Sequence, residues 1–470
     1  MATLATAPPR STLDADAQLV RAIGLWGATL LVIGNVIGSG IFLTTGIMAQ
    51  ELPSTTLVLT AWVAGGLLAM AGGLTYAEMG SMFPRSGGLY VFLSEAYGPV
   101  WGFLFGWACV LVILTGSVAA VAVGFAEYFS YFFPSLGTAN VLTTVAMPWG
   151  SWSLSAGQLV AAGSIAVITA INYVGVRSGN LANMLLTTAK VGALVVVLLL
   201  AAAYMRVDPV LTPVIPPGAL RPLASFGVIM IAVMWTYEGW YYVAFSAGEI
   251  RDAARNVPRA LIYGTLALTA IYASVNVAYF YTLTIEEMSG VTRIAEKAVT
   301  ALVGPVGATL VAASVVVSTF GCNVAGILAS SRNCFAMAAD GRFFPPAARV
   351  HPVYHTPHIA LLLTSAWSAF LTLTGGYEAL FTYVTFASVL FGTVGGAAIF
   401  VLRARRPDVP RPYRALGYPV IPALYVLGSF ALVWNTLMER PTASIAGLGL
   451  VAIGLPFYVY WSRQVRRRPN

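Results

Sequence analysis

Two short polar interruptions lie inside long apolar segments, and their residue types suit the binding of a small charged molecule. The first is the glycine-rich stretch GNVIGSG at residues 34–40, and the second is TYEG at residues 236–239. Glycine is about 1 kcal/mol less favourable than alanine within a helix, and it lets a ligand approach the backbone closely. Both stretches are therefore candidates for places where a helix is interrupted and its backbone groups can bind a ligand.

A zwitterion is the kind of molecule that an interrupted helix could hold. Its carboxylate would accept hydrogen bonds from N–H groups around Gly38, Ser39 and Gly40, at the start of a half-helix where the helix dipole favours negative charge. Its ammonium would donate to carbonyls freed at the end of the preceding half-helix. Lipid tolerates such a break only where the backbone groups find partners. The alternative is close helix packing, because Gly34 and Gly38 also form a GxxxG pattern.

Two ionisable side chains lie within the apolar segments, Lys190 in "LTTAKVGALVVV" and Glu238 in the second interruption. A charge inside the bilayer costs at least about 2.5–3.5 kcal/mol, so such residues are functional candidates by default. Lys190 could take part in coupling, and the alternative is a structural lysine bonded to carbonyls at a helix end. Glu238 could select a cationic substrate, or it could cap the broken helix.

The composition predicts an all-α integral membrane protein. Of the 470 residues 58% are hydrophobic and only 9% are charged, and the mean hydropathy is +0.81. Soluble domains carry about 25% charged residues, and apolar runs of about 20 residues indicate transmembrane helices. Twelve such helices are predicted, at residues 22–48, 55–80, 98–131, 155–174, 178–204, 222–250, 257–283, 305–338, 357–375, 379–402, 419–437 and 442–462.

The distribution of basic residues predicts the orientation. Nearly all arginines fall in the loops of one side, whereas the loops of the other side hold Arg206, Arg221, Arg293, Lys297 and Arg440. Because cytoplasmic loops are enriched in basic residues, both termini are predicted to be cytoplasmic, in the inner or plasma membrane of the cell. Topology then explains the net charge of +8 without nucleic acid. The basic segments 403–419 and 463–470 could in addition contact anionic lipid.

The sequence predicts neither a cofactor nor a metal site, and no enzymatic activity. The three cysteines, Cys109, Cys322 and Cys334, do not follow a metal-binding or disulfide spacing. All three histidines fall within residues 351–358, in a predicted loop and the first two residues of the ninth predicted span, so the interiors of the predicted spans contain none. The glycine run lacks both the ending of a phosphate-binding loop and the dinucleotide fingerprint.

The two interruptions lie at matching depths of the first and sixth predicted spans, five helices apart. Matched interruptions of this kind are the sequence signal of a transporter built from inverted repeats, with its substrate bound at discontinuous helices. The predicted organisation has five parts. They are a tail at 1–21, a first five-helix repeat at 22–204, a second at 222–402, a basic loop with helices 11 and 12 at 403–462, and a tail at 463–470.

Several motifs resemble the amino acid–polyamine–organocation (APC) superfamily. "GNVIGSGIF" is similar to its first-helix signature, and residues 76–107 resemble its segment around the second and third helices. "MWTYEGWYYVAFSAGEIRDAARNVPRAL" resembles the sixth helix and following loop of the L-type amino acid transporter branch. "ASSRNCFAMAADGRFFPP" resembles the end of the eighth helix. The resemblance implies the LeuT-type fold, with two inverted five-helix repeats, discontinuous helices 1 and 6, and two further helices.

The resemblance also implies roles for individual residues. Gly38, Ser39 and Gly40 would hold a substrate carboxylate, and carbonyls near Val36, Trp235 and Glu238 would hold its amine. Trp235 would be an aromatic gate, and Lys190 would stand where sodium-coupled relatives bind sodium, bracing span one against span eight. The complete predicted substrate site comprises Asn35, Val36, Ile37, Gly38, Ser39, Gly40, Trp235, Thr236, Glu238, Gly239, Asn323 and Gly326.

The implied activity is secondary active, sodium-independent transport of L-amino acids, either as an antiporter or as a proton-coupled symporter. Apolar surroundings favour neutral substrates, and the alternatives are a cationic amino acid or polyamine transporter and, from another class, a channel. The L-type branch usually has Asn where this chain has Tyr241, and Asn35 is closer to the arginine–agmatine antiporter branch. The expected partners are the amino acid substrate and membrane lipid, and the choice between monomer and homodimer is left open.

Overall fold

A computed structural model describes residues 21, 23–84, 87–147, 150–174, 179–207 and 221–466. Most of the two predicted tails, at residues 1–20 and 467–470, lies outside this range. Arg85 and Arg177, which the topology prediction assigns to the cytoplasmic side, also lie outside it.

The described chain is mostly helical. In chain order the α-helices are α1 (Leu25–Val36), α2 (Gly40–Glu51), α3 (Thr55–Met82), α4 (Gly88–Tyr97), α5 (Pro99–Ala108), α6 (Leu114–Phe129), α7 (Ala156–Val174), α8 (Gly179–Ala203), α9 (Pro222–Thr236), α10 (Ala253–Thr282), α11 (Ile285–Met288), α12 (Ile294–Val303), α13 (Pro305–Ala339), α14 (His358–Thr372), α15 (Tyr377–Arg405), α16 (Val420–Glu439), α17 (Pro441–Ala452) and α18 (Gly454–Arg466). A π-helical turn, Cys109–Ile113, joins α5 to α6. The 3-10 helices are Pro134–Leu136, Trp240–Glu249 and Pro345–Ala348.

The apolar helices are long enough to cross a membrane. Within the described residues, nine helices pass on length and composition, and the bent pair α1–α2 makes a tenth. The segment Lys190–Ala203 of α8 and helix α14 are apolar but shorter. Each predicted span overlaps a helix or a pair of helices. The two longest predicted spans, 98–131 and 305–338, correspond to the two longest membrane-crossing helices, Pro99–Phe129 with 31 residues and Pro305–Ala339 with 35.

A β-hairpin between α6 and α7 is not accounted for by the all-α prediction. Its strands, β1 (Val141–Met147) and β2 (Gly150–Ser155), pair antiparallel in the sequences VLTTVAM and GSWSLS. β-branched residues and a tryptophan favour strands, but such short segments carry little signal beside long apolar helices. The indole N–H of Trp152 donates to the Leu373 carbonyl at 2.7 Å. This contact places the hairpin beside the turn between α14 and α15, at an end of the bundle that we call the hairpin face.

A buried charge cluster lies at the other end of α15, on the opposite face of the bundle. Glu78 of α3 is fully buried, and Arg403 donates to both of its carboxylate oxygens, at 3.0 and 2.7 Å. The Arg411 guanidinium lies 3.4 Å from Glu78, and the Ala415 amide donates to it at 2.6 Å. One carboxylate therefore ties α3, α15 and the basic loop after α15 together.

Removing this carboxylate should destabilise the fold. In Glu78→Gln, the guanidinium groups of Arg403 and Arg411 lose their shared counter-charge, and breaking a buried pair in this way costs about 3 kcal/mol. We expect a clearly lower midpoint of thermal unfolding in detergent. Glu95→Gln is the matched control, because Glu95 pairs with the half-exposed Arg406 at 2.9 Å. Exposed pairs contribute less than about 1 kcal/mol, so equal midpoints for the two variants would contradict the account.

Candidate functional site

The first predicted interruption is present. Helix α1 ends at Val36, α2 begins at Gly40, and the two are bent by 43°. In the break, the Gly38 amide turns back to donate to the Val36 carbonyl at 2.8 Å. No side chain among the described residues caps the start of α2. Apart from the Phe42 amide, which donates to the Ser39 carbonyl at 3.1 Å, its first N–H groups are therefore available to an acceptor from outside the chain.

Side chains from neighbouring helices donate to two carbonyls at the break, those of Val36 and Ile37, and to two carbonyls in the first turn of α2. Three tyrosine hydroxyls and one ammonium group supply the hydrogen bonds. They run from Tyr272 to Val36 at 3.1 Å, from Lys190 to Ile37 at 3.1 Å, from Tyr279 to Ile41 at 3.2 Å and from Tyr128 to Phe42 at 2.8 Å. These donors explain how an interrupted helix is tolerated in an apolar medium.

The second interruption lies against the first. Helix α9 ends at Thr236, and Gly239 has a φ of +100°, which side-chain-bearing residues rarely adopt. A Cβ on Gly239 would also stand only 3.2 Å from the Asn35 carbonyl oxygen. The Tyr272 hydroxyl lies 3.1 Å from both the Val36 and the Thr236 carbonyl oxygens, which share its single proton. One hydroxyl therefore connects the two breaks.

The glycines of the first break serve different purposes. A Cβ on Gly40 would lie 2.5 Å from Thr236 Oγ1, so Gly40 is needed for close packing between the breaks. A Cβ on Gly38 would meet no atom nearer than 3.9 Å, with Cys322 Sγ among the closest. Gly38 therefore faces open space, and the helix-packing interpretation of the GxxxG pattern does not describe it.

That open space is a cavity of about 120 Å³ between the two breaks. The predicted residues that line it are Asn35, Val36, Gly38, Ser39, Gly40, Lys190, Trp235, Thr236, Glu238, Asn323 and Gly326. Ile37 and Gly239 do not line the cavity. Ile37 instead offers its carbonyl to Lys190, and Gly239 allows the backbone to turn at the second break. Lining residues that sequence reasoning missed are Gly34, Leu114, Ser117, Val118, Val121, Tyr242, Cys322, Ala325 and Ala329.

Four of the missed residues, at positions 114, 117, 118 and 121 on α6, share one helix face. Their helical spacing was visible in the sequence, but a cavity wall and a packing face give the same pattern. The side chains are small or apolar. This wall of the cavity consequently offers contacts to apolar groups rather than to charges.

The two ionisable groups of the cavity have different partners. Lys190 is 5% exposed and bonds the Ile37 carbonyl, so its contact is with span one. Glu238 Oε1 accepts from three hydroxyls, those of Tyr241 at 2.9 Å, Tyr242 at 3.1 Å and Ser388 at 3.0 Å. The carboxylate is thus already solvated by the protein, in keeping with a structural role in the broken helix.

Asn323 carries a buried donor that has no partner in the described part of the chain. The side chain is 2% exposed, lines the cavity and has no acceptor for its Nδ2 group. Buried amide groups are nearly always paired, so an unpaired one calls for an explanation. An acceptor atom on a bound molecule would supply the missing bond.

Tyr377, at the start of α15, closes the cavity toward the hairpin face. Its hydroxyl lies 3.0 Å from Ser39 Oγ and accepts from the Trp235 indole at 2.8 Å. Phe381, one turn further along α15, stacks on Trp235 at 6.1 Å between ring centroids. Sequence reasoning singled out Ser39 and Trp235 but missed Tyr377. Nothing in its local sequence separates it from the other tyrosines of the spans.

Comparison with known proteins gives concordant matches over nearly the whole chain. A sequence model of a protein family described as amino acid permease matches residues 23–455. The serine/threonine exchanger SteT of Bacillus subtilis is 31% identical, over 94% of this chain and 97% of its own. The large neutral amino acids transporter small subunit 2 of Oryctolagus cuniculus is 30% identical, over 97% and 84%. The Asc-type amino acid transporter 1 of Mus musculus is 29% identical, over 94% and 82%.

Proposed function

Because the chain belongs to the amino acid permease family of the APC superfamily, we propose that it is a secondary active transporter of small or medium neutral L-amino acids. The observation that carries this proposal is that an uncapped helix start and an Asn323 amide without a partner among the described residues line the same cavity. Both are hydrogen-bond donors, and both would be satisfied by acceptor atoms of a bound zwitterion.

The substrate carboxylate would lie at the N–H groups of Ser39 and Gly40, because the Gly38 amide already donates to the Val36 carbonyl. Its ammonium would meet the carbonyls near Val36, Trp235 and Glu238. The Val36 carbonyl already accepts from the Gly38 amide, and its second lone pair shares the single proton of the Tyr272 hydroxyl with the Thr236 carbonyl. Ammonium binding at Val36 therefore requires the Tyr272 hydroxyl to turn away. That movement is inexpensive, because the hydroxyl keeps its second acceptor, the Thr236 carbonyl.

Size and polarity favour neutral substrates over cationic ones. A cavity of about 120 Å³ suits a small or medium amino acid, and the faces that α6 and α13 present include Leu114, Val118 and Ala325. Three hydroxyls already compensate Glu238. A cationic amino acid or polyamine is the second candidate, since the Glu238 carboxylate still lines the cavity. A channel is disfavoured, because Tyr377 closes one end of the cavity in the manner expected for alternating access.

Uptake into reconstituted vesicles tests the proposal. Labelled serine, alanine and leucine should enter saturably, and unlabelled neutral amino acid inside should stimulate their entry. Arginine, lysine and putrescine should compete poorly. Competition by cationic compounds alone would establish the second candidate, and uptake without saturation or counter-substrate stimulation would indicate a channel.

We further propose that the hairpin face is extracellular and that both termini are cytoplasmic. The supporting observation is that the arginine-rich loop after α15 lies on the opposite face, and basic loops remain in the cytoplasm. In this arrangement the chain crosses the membrane twelve times. The two inverted repeats span residues 22–204 and 222–402, and the basic loop at 403–419 faces anionic lipid.

The closing contact at Tyr377 should matter for turnover. Tyr377→Phe retains the ring packing against Phe381 but removes the hydroxyl that connects Ser39 to Trp235. Each lost hydrogen bond costs about 0.5–1.5 kcal/mol, so we expect the initial uptake rate to fall about three- to ten-fold. Trp235→Ala, which also removes the lid, should be at least as impaired in binding or occlusion. Tyr383→Phe on the same helix is the control, and an equal loss in both phenylalanine variants would contradict the gate.

A further inference from the structure

A second cavity, of about 360 Å³, lies on the hairpin face between the end of α2, helix α9 and the start of α15. It is separate from the central cavity and three times its size. Its rim carries Glu51, Glu378 and Arg440, and its inner wall includes Ile47, Val228 and Ile231. A charged rim over an apolar wall is the chemistry of a binding site for an amphiphilic molecule.

The rim contains two carboxylates for one guanidinium. Arg440 Nη2 lies 3.1 Å from Glu378 and 3.5 Å from Glu51, and all three side chains are between a third and a half exposed. Arg440 connects α16 to α17, whereas Glu51 ends α2 and Glu378 begins α15. The trio carries a net negative charge, so it attracts an ammonium group, and it also offers a guanidinium to a carboxylate.

We call this second cavity the outer cavity. The aromatic residues at its base also cover the central cavity. Phe381 lines the outer cavity and stacks on Trp235, which lines the central cavity. The Tyr377 ring packs beside both, with centroid distances of 5.4 Å to Phe381 and 6.3 Å to Trp235. A molecule in the outer cavity therefore rests on the aromatic groups that must part before it can reach the two breaks.

We propose that the outer cavity is a docking site for a zwitterionic amino acid on its way to the central site. The carboxylate binds Arg440, the ammonium binds Glu51 or Glu378, and the side chain packs against Ile47, Val228 and Phe381. A zwitterion suits this rim for two reasons. It would exchange one Arg–Glu ion pair for two ion pairs between the rim and the ligand, and it would leave the net charge of the rim unchanged. This inference rests on the proposed transport of amino acids, and it adds a second place where the substrate binds.

Kinetics from the two sides of the membrane test the outer site. In vesicles with uniform protein orientation, Arg440→Gln should raise the KM for substrate on the hairpin side about two- to five-fold, since exposed ion pairs contribute modestly. The KM on the opposite side should not change. Val228→Phe should raise the same KM by filling the apolar wall without touching the ion pairs. Arg206→Gln is the control, because Arg206 pairs with Glu287 at 3.3 Å away from the cavity.

The direction in which the KM on the hairpin side changes distinguishes a docking site from a purely mechanical latch. If Arg440 were only a latch between α2 and α15, its loss would favour the open outer face and lower the KM on the hairpin side. A lowered KM in Arg440→Gln, or an unchanged KM in Arg440→Gln and Val228→Phe, would overturn the docking site. Failure of the wild-type protein to transport any amino acid would instead overturn the proposed function.

Discussion

Replacing Lys190 with alanine is expected to reduce the transport rate about ten- to hundred-fold. The Lys190 ammonium is buried and donates to the Ile37 carbonyl at 3.1 Å, in the middle of the first break. Without it, that carbonyl has no donor, and leaving a buried acceptor unsatisfied costs about 1–3 kcal/mol. The loss falls on the conformation that forms the cavity, so productive binding should suffer more than insertion or folding.

The same residue predicts the ion dependence of transport. If Lys190 stands where sodium-coupled relatives bind sodium, as the resemblance implies, its ammonium beside the break would supply the positive charge of that ion. We therefore expect wild-type uptake to be unchanged when choline replaces sodium. Lys297→Ala is the matched control, because Lys297 is the only other lysine and bonds the Glu287 carbonyl on the hairpin face.

Two results would contradict this role for Lys190. One is a strict requirement of the wild-type protein for sodium, and the other is undiminished turnover in Lys190→Ala. Proton coupling and plain exchange are separated by imposing a pH gradient across the vesicle membrane. Only proton-coupled uptake should be driven by the gradient in the absence of internal substrate.

The sequence predicted the places where the helices break better than it predicted what holds the breaks. Glycine runs and misplaced polar residues are local signals, and they correctly indicated the stretches around Gly38 and Gly239. The donors to the first break and to the first turn of α2 include Tyr128, Tyr272 and Tyr279, which lie far away in the chain. A tyrosine in an apolar helix has the same local pattern whether it packs or donates, so only the tertiary structure reveals its role.

The sequence also could not distinguish the structural roles of Gly38 and Gly40. Gly38 and Gly40 belong to one motif, yet Gly38 faces the cavity and Gly40 packs against Thr236. A larger side chain at Gly40 would therefore push the two breaks apart, and loss of binding there would not identify a substrate contact. Asn323 was placed beside the pocket by resemblance, but its unpaired amide could be recognised only from the structure.

Ser39 offers the sharpest test of substrate binding at the break. Its φ of −74° is close to the value that proline requires, so Ser39→Pro can adopt the observed backbone. The substitution removes the Ser39 N–H, which has no partner within the described part of the chain. It also removes the hydroxyl that contacts Tyr377. A hydrogen bond to a charged group contributes about 1.5–3 kcal/mol, so substrate affinity should fall about ten- to hundred-fold.

Ser39→Ala separates the two losses, because alanine lacks the hydroxyl and keeps the N–H. It should lose only the contact with Tyr377 and bind substrate within a few-fold of the wild-type protein. Both variants should elute as single species in detergent, and binding of a labelled neutral amino acid should then be measured on each. Equal affinities for the folded proline and alanine variants would show that the Ser39 N–H does not hold the carboxylate. A substrate bound without that N–H would have to be held by the other donors of the cavity, such as the Gly40 N–H and the Asn323 amide.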